Sequence, residues 1–383
     1  MKASLLAVGT ELTTGQIVNK NGSIIAQRLG AFGVDVIHHL VVPDDRAEIL
    51  KALDYCQTSE LIFVTGGLGP TSDDFTREVI AEWVKQDLIF DDNSWQHVSD
   101  RLTSRGYTVK EIQRQQCFFP KGSEILFNSQ GTANGFFLKL QNSKTKIFVL
   151  PGPPREIDAI WNSFINNWLK ENTMNIDRKI TRSWDTIGMG ESDVAQIVEK
   201  IFEGKKRTGA DIWSESGGLP IDIGYRVHLP YVEVKLTYPI SASYTCDMFV
   251  NLVDEALKSV TVLKDFADAL DLLAKKISDR EIAIYDFVSQ GFLQHRLSPV
   301  LKAHPRWMYQ QSLEPMDPDF FNEEIDFMAL LPAASDDQMW LLAHWNGRRL
   351  QKQIEAPMKA ANMDERRRQY FAEMALIEFV KNL

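Results

Sequence analysis

The sequence has few cysteines, no excess of basic residues and no long apolar run, and each absence narrows what the chain can be. Its three cysteines, Cys56, Cys117 and Cys246, lie far apart in a chain of 383 residues and form no metal-type pair. This usage favours a reducing compartment without structural disulfides. The formal net charge of −10, from 42 basic and 52 acidic residues, argues against a nucleic-acid partner that is bound through a basic surface.

Signals for membranes and zinc are missing as well. No stretch reaches the roughly 18 apolar residues of a membrane-spanning helix, and the Lys2–Val8 run is too short for a signal peptide. The seven histidines show neither a His-x-x-x-His pair nor a Cys/His ligand spacing. What is present is a globular composition, with 44% hydrophobic and 25% charged residues. We therefore expect a cytoplasmic protein of two or three domains with no membrane partner.

The stretch Thr65–Glu78 (TGGLGPTSDDFTRE) carries the strongest chemical signal in the chain. The apolar run Leu61–Val64 precedes it and an apolar pattern at helical spacing follows it, which predicts a strand, a glycine turn and the start of a helix. Glycines let a ligand approach the backbone closely, and the N–H groups at a helix start favour an anion such as phosphate. No Gly-Lys-Ser/Thr sequence follows, so the stretch is not a Walker P-loop.

Two adjacent acids, Asp73 and Asp74, conflict with a simple phosphate site because they would repel an anion. A divalent cation removes the conflict, since carboxylates together with phosphate oxygens are a common environment for magnesium. An alternative stays open: Thr71, Ser72 or one of the two acids can simply cap the following helix.

Strands alternate with helices over residues 1 to about 170, which predicts an α/β fold with a doubly wound, mostly parallel sheet. In such a sheet, ligands bind at the C-terminal ends of the strands. Three loops are expected at that edge: Gly9–Gly15 after the first strand, Gly66–Asp74 after the third, and Pro151–Ile157 after the strand Ile147–Leu150. The alternative for the last loop is a stiff connector between a strand and a helix.

Four motifs, in this order and spacing, resemble the CinA family: Gly9-Thr10-Glu11, Gly66–Asp74, Gly131-Thr132-Ala133 and Leu150–Glu156. The chain departs from the family pattern at Asn134, where proline is usual. The resemblance implies a molybdopterin-binding, MoaB/MogA-like fold for residues 1–170. It also implies that this domain hydrolyses ADP-ribose with the help of a metal ion.

The resemblance further implies roles for individual residues. Asp73 and Asp74 would hold a divalent metal ion (magnesium, manganese or cobalt), and Glu11 and Glu156 would position or deprotonate water, so these four are the predicted catalytic residues. The predicted ligand contacts, for a small-molecule nucleotide or pterin, are Gly9, Thr10, Gly66, Gly67, Gly69, Thr71, Thr76, Asn128, Gly152 and Pro153.

Two more domains are predicted, at residues 171–258 and 259–383. The middle one is expected to be a small α+β unit similar to the family's KH-like domain, with strands that include Ala210–Glu215 and Asp222–His228. It has no Gly-x-x-Gly loop with basic flanks, so we expect a linker or dimerisation role in place of RNA binding, and a homodimer overall.

The last domain is predicted to be α/β and resembles the family's nicotinamide-nucleotide amidohydrolase domain in a degenerate form. In that family a strand leads into Glu-Ser-Cys-Thr-Gly-Gly and a helix, and the serine is the nucleophile. Here Phe287 stands at the serine position, and a phenyl ring cannot act as a nucleophile. Ser289 is two residues away from that position. The sequence therefore indicates a retained scaffold whose deamidase chemistry has been lost.

Three functional hypotheses follow. The leading one is a metal-dependent pyrophosphatase in the first domain that acts on a nucleotide sugar of the ADP-ribose type. The second is a non-catalytic protein that binds a pterin or a nucleotide. The third, which Phe287 disfavours, is deamidation of a nicotinamide nucleotide by the last domain. A role that is structural alone also stays open.

Overall fold

The computed structural model describes residues 1–140, 143–207, 218–277, 281–303, 306–311, 326–357 and 363–382. It forms two compact units, Met1–Arg178 and Lys179–Leu383, each with its own sheets and core. The predicted strand Ala210–Glu215 lies outside the described residues. The boundary predicted near residue 258 falls inside the second unit, and the division into three domains stays a prediction.

The first unit alternates strands and helices, as its sequence pattern predicts. Its strands are β1 (Lys2–Val8), β2 (Asp35–Val42), β3 (Leu61–Thr65), β4 (Leu88–Phe90), β5 (Phe118–Pro120), β6 (Glu124–Leu126), β7 (Gly135–Lys139) and β8 (Lys146–Leu150). Its helices are α1 (Thr10–Thr13), α2 (Lys20–Gly30), α3 (Arg46–Cys56), α4 (Thr76–Trp83), α5 (Asp92–Ser104), α6 (Pro154–Ile160) and α7 (Asn166–Asn172). A 3-10 turn, Glu111–Cys117, precedes β5, and a π-helical turn, Trp161–Ile165, joins α6 to α7.

Six strands of this unit form one sheet in the order β2-β1-β3-β8-β7-β6. The first four are mutually parallel, whereas β7 and β6 are antiparallel to their neighbours. The register sets Thr65 beside Ala7 on one side and beside Leu150 on the other. The C-terminal ends of β1, β3 and β8 therefore lie next to one another, and the predicted mostly parallel sheet is confirmed.

Each face of this sheet packs on its own helices, which makes the fold doubly wound. Because successive side chains of a strand point to opposite faces, neighbouring residues of β1 enter different cores. Leu6 belongs to a core with Leu53 of α3 and Val79 of α4. Leu5 belongs to the opposite core with Ile25 of α2. The strand ends are thus held rigidly from both sides.

The second unit contains two further sheets. Its strands are β9 (Lys179–Thr186), β10 (Asp222–His228), β11 (Tyr231–Pro239), β12 (Thr261–Lys264), β13 (Ile282–Asp286), β14 (Trp307–Gln311), β15 (Phe327–Pro332), β16 (Gln338–Trp345) and β17 (Arg348–Glu355). Its helices are α8 (Glu191–Ile201), α9 (Ser243–Leu257), α10 (Ala269–Ile277), α11 (Phe292–Ala303) and α12 (Asp364–Asn382). One sheet is antiparallel, in the order β10-β11-β9-β12, and the other is mixed, in the order β14-β13-β15-β16-β17.

Within the described ranges, none of the helices combines the length and the apolar character that crossing a bilayer requires. The cytoplasmic location and the homodimer stay predictions.

Candidate functional site

The C-terminal ends of β1, β3 and β8 open into a cavity of about 650 Å³, a volume suited to a small organic ligand. Most of its wall comes from the three loops that follow those strands, at the edge where the sequence predicts them. The predicted site residues that line it are Gly9, Glu11, Gly66, Gly67, Gly69, Thr71, Asp73, Asp74, Gly152, Pro153 and Glu156. The topology therefore brings together loops that are more than 50 residues apart in the chain.

Three predicted site residues, Thr10, Thr76 and Asn128, do not line the cavity themselves. The Thr10 backbone N–H and hydroxyl donate to Asp44 Oδ2 at 2.8 and 2.9 Å. Thr76 is buried beneath Gly67 and donates its backbone N–H to the Gly67 carbonyl at 3.2 Å. Asn128 is also buried, and its Nδ2 donates to Glu156 Oε2 at 2.7 Å. All three therefore support residues that face the cavity.

Two glycines of the Gly66–Asp74 loop have no possible substitute. Gly66 and Gly67 have φ values of 100° and 66°, in the left-handed region that other residues rarely adopt. A Cβ on Gly66 would lie 2.2 Å from the Val8 carbonyl oxygen, and one on Gly67 would lie 2.0 Å from Thr76 Oγ1. Close packing against β1 and α4 thus explains why the sequence has glycine here.

Hydrogen bonds fix the C-terminal part of the same loop, around Thr71 and Asp74. The Asp74 N–H donates to the Thr71 carbonyl at 3.0 Å, and the Thr71 N–H donates back to Asp74 Oδ2 at 3.1 Å. Gln115 Nε2 donates to the carbonyls of both residues. The Thr71 hydroxyl lies beside both acids and holds the pKa of Asp73 below its usual range. These hydrogen bonds hold the loop in one conformation.

Glu156 enters the cavity from the first turn of α6, where Pro154 stands at the start of the helix. Burial raises the pKa of Glu156, and a hydrogen bond from Asn128 Nδ2 to Oε2, at 2.7 Å, acts against that rise. The Asn128 N–H donates to Asn134 Oδ1 at 2.9 Å, and Asn134 Nδ2 donates to Ser94 Oγ at 3.0 Å. A buried chain of amides thus orients the carboxylate.

Several residues of the site were not predicted from the sequence. Asp44 and Gln116 line the cavity, and Asn21 Nδ2 donates to the Gly152 carbonyl at 2.7 Å, which ties α2 to the third loop. Asp44 follows β2, so the strand-end rule could have found it. Gln116 accepts from the Thr132 hydroxyl at 2.9 Å and belongs to a 3-10 turn without a sequence signature.

The donor set of the cavity is suited to a hard divalent cation. The carboxylates that line it are Glu11, Asp44, Asp73, Asp74 and Glu156. Oxygen donors of this kind bind magnesium and manganese in preference to softer metals. Thr71 occupies Oδ2 of Asp74, which leaves Oδ1 available to a cation. The assignment of such a metal to Asp73 and Asp74 stays a prediction.

A second group of possible metal ligands lies in the second unit, on β9, β10 and β11. It consists of Asp185, His228 and Glu233, and it is the one set of three such side chains found close together in the described parts of the chain. However, Arg226 Nε and Lys235 Nζ lie 2.8 and 3.1 Å from Glu233 Oε2. Two cations already balance this carboxylate and would repel a metal ion, so we interpret the group as an ion-pair network.

In the second unit, Phe287 stands where the resemblance places a serine nucleophile. Phe287 lines a cavity of about 210 Å³, together with Gln290 and Arg368. Ser289 is fully buried: its hydroxyl donates to Asp286 Oδ2 and accepts the Leu293 N–H at 2.9 Å. Ser289 therefore caps the first turn of α11.

A family model described as “Probable molybdopterin binding domain” matches residues 4–171. A protein of Alkaliphilus metalliredigens named as competence-damage inducible is 31% identical over 301 residues, which is 78% of this chain and 70% of that protein. A protein of the same name from Clostridium botulinum strain 657 is 35% identical over 245 residues, 63% of this chain. The match covers 58% of the Clostridium protein, so the chain spans less than two thirds of that relative's length.

Two solved structures are also similar. The protein CinA from Thermoplasma acidophilum is 32% identical with a TM-score of 0.40, covering 43% of this chain and 96% of that one. The tungsten cofactor synthesizing protein MoaB from Pyrococcus furiosus is 20% identical with a TM-score of 0.31, covering 44% and 95%. The extended match to the Alkaliphilus protein decides the assignment. The chain therefore belongs to the CinA (competence-damage inducible) family, with a molybdopterin-binding-like domain at its N-terminus.

Proposed function

We propose that the first unit is a metal-dependent hydrolase that cleaves the pyrophosphate bond of a nucleotide sugar of the ADP-ribose type. The observation that supports this is the convergence of the Gly66–Asp74 loop, the acids Asp73 and Asp74, and Glu156 on one cavity. The loop offers backbone N–H groups to phosphate oxygens, the paired acids suit a metal, and Glu156 suits a general base.

In the proposed reaction, water attacks one phosphorus atom, the bond from that phosphorus to the bridging oxygen breaks, and AMP and ribose 5-phosphate leave. A divalent cation on Asp73 and Asp74 would stabilise the negative charge of the pyrophosphate. Asn128 holds Oε2 of Glu156, so Oε1 takes the proton of the attacking water. The raised pKa of Glu156 makes its carboxylate a stronger base.

The second candidate is a protein that binds a pterin or nucleotide without turnover. The description of the matching family model favours it, because that description names molybdopterin binding and no hydrolysis. Both candidates use the same cavity. They differ in one observable: the binder releases no product with any metal, although its ligand stabilises it against heat.

In the last domain we propose that deamidase chemistry is absent. The position of the family's serine carries Phe287, and the hydroxyl of Ser289, two residues further along, is buried and bonded to Asp286 and to the α11 backbone. A nucleophile must reach a substrate and a base, and neither side chain meets that requirement.

The test of the pyrophosphatase is AMP release from ADP-ribose by the purified full chain, with magnesium, manganese, cobalt or EDTA. We expect metal-dependent release, and its loss in Asp73→Asn and Asp74→Asn. Glu124→Gln is the matched control, since Glu124 is an exposed acid on β6 outside the cavity. Full activity in both aspartate variants would contradict the metal assignment. No AMP from a folded sample with any metal would favour the binder.

A further inference from the structure

The glycine loop rests on a buried arginine. Arg77, in the first turn of α4, is 0% exposed. Its Nη2 donates to the Leu68 carbonyl at 2.5 Å, whereas Nε and Nη1 find no hydrogen-bond partner among the described residues. Burial lowers the pKa of Arg77 to about 10, and its guanidinium lies 5.8 Å from the ring centre of Phe119. Such a charge is costly to bury, so its position calls for a reason.

The hydrogen bond to Leu68 fixes the orientation of one peptide group. Across a trans peptide the C=O and the next N–H point in opposite directions. Because Arg77 draws the Leu68 carbonyl into the interior, the Gly69 N–H points the other way, and Gly69 lines the cavity. In the described structure this N–H has no protein acceptor. The buried side of Leu68 is also anchored, since its side chain packs in the core with Val64.

The charge of Arg77 also bears on what the cavity can bind. Among the described residues that line the cavity, Lys20 is the basic one, against the five carboxylates named above. An anion that carries several negative charges would be repelled by this wall. A positive charge directly behind the loop, in a region of low dielectric, offsets that repulsion at the end where Gly69 lies.

We propose that Arg77 is a positioning residue that presents the Gly69 N–H to a phosphate oxygen and makes the Gly66–Asp74 loop the pyrophosphate end of the cavity. The ligand class is then a pyrophosphate anion bound together with a divalent cation. This inference rests on the proposed function for its place in a reaction, but it concerns binding and can be tested without turnover.

The test uses the full chain and two probes. Binding of inorganic pyrophosphate in the presence of Mn²⁺ is measured by calorimetry. Binding of Mn²⁺ alone is measured by the electron paramagnetic resonance signal of the free ion. Arg77→Met keeps an unbranched apolar chain, two atoms shorter than that of arginine, and removes both the charge and the donor. We expect it to bind pyrophosphate roughly tenfold to a hundredfold more weakly, the usual effect of losing a charged hydrogen bond. Mn²⁺ alone should bind as tightly as before or more tightly, since a cation has left the neighbourhood of the carboxylates.

Two further variants sharpen the result. Arg77→Lys keeps the charge and should lose less pyrophosphate affinity than Arg77→Met. Arg114→Met is the control, because Arg114 stacks on Phe90 and Trp95 in the same unit and does not line the cavity. It should leave the binding of both probes unchanged.

Weaker pyrophosphate binding by Arg77→Met, with Mn²⁺ bound as tightly as before or more tightly, would support the inference. Loss of binding of both probes would show that the loop has collapsed and would overturn it. Unchanged pyrophosphate binding, or no pyrophosphate binding by the unaltered chain, would overturn it as well. Pyrophosphate binding without any AMP release from ADP-ribose would reject the hydrolase and leave this inference standing.

Discussion

The position of Glu156 can be tested from a residue that carries no functional group. A Cβ built on Gly131 would lie 2.2 Å from Glu156 Cδ and 2.3 to 2.4 Å from its oxygens. Ordinary contact begins at 3.4 Å, so the carboxylate must move by about 1.2 Å in Gly131→Ala. Gly131 does not have a positive φ, and alanine is therefore compatible with its backbone. The variant moves the base and leaves its chemistry unaltered.

A displacement of about 1 Å in a catalytic group can lower the rate about 100-fold, which corresponds to about 2.7 kcal/mol in activation free energy. We expect kcat for AMP release by Gly131→Ala to fall by about that factor, with the melting temperature nearly unchanged. Gly30→Ala is the matched control, because a Cβ on Gly30 at the end of α2 would meet nothing within 4 Å. It should retain full activity.

A double-mutant cycle decides whether Gly131→Ala acts through Glu156. If it does, Gly131→Ala combined with Glu156→Gln should be no slower than Glu156→Gln alone, because the second change acts on a group already disabled. Two independent losses that multiply would refute the reasoning. So would full activity of Gly131→Ala, since the carboxylate could then move by more than 1 Å without consequence.

The remaining predictions concern stability and the absence of deamidase activity. Because the folded pKa of Glu156 is raised, the folded state binds more protons than the unfolded one between about pH 4.3 and that raised pKa, and the free energy of unfolding falls as pH rises through this window. Glu156→Gln removes this titration. The melting temperature of the variant minus that of the unaltered chain should therefore increase from pH 4 to pH 7, and a difference that does not change with pH would contradict this. Ser289→Ala removes the cap of α11 and a partner of Asp286, and should lower the free energy of unfolding in urea by about 1 to 3 kcal/mol. Neither that variant nor the unaltered chain should release ammonia from nicotinamide mononucleotide, and detection of ammonia would reject the proposed loss of deamidase chemistry.

The sheet and most of the cavity wall could be predicted because both depend on patterns local in sequence. Apolar runs of strand length alternate with helical patterns, and glycine marks the points where the chain must turn sharply or approach another strand. Gly66 illustrates this, because the Val8 carbonyl of the neighbouring strand leaves no room for a Cβ at that position. The rule that ligands bind at the C-terminal ends of parallel strands then places the loops together without any contact being known.

The supporting residues could not be predicted in the same way, because their roles depend on orientation. Thr76 and Arg77 are adjacent in sequence, yet both point under the loop and not into the cavity. Gln115 reaches the loop from a 3-10 turn some 40 residues away in the chain. A sequence pattern gives the face of a helix, but it does not say which carbonyl a long side chain will reach.

Two departures from the family pattern have opposite consequences, and hydrogen bonding distinguishes them. At Asn134 the usual proline is replaced by a side chain that accepts the Asn128 N–H and donates to Ser94, so the loop keeps a complete set of partners and Glu156 keeps its orientation. At Phe287, where the resemblance places a serine, the side chain has no hydroxyl, and the Ser289 hydroxyl is already bonded to Asp286 and to the α11 backbone. The first change preserves the geometry that the proposed chemistry requires. The second removes a reacting atom, which packing cannot restore. We therefore expect the N-terminal and C-terminal domains to differ in activity although both keep their folds.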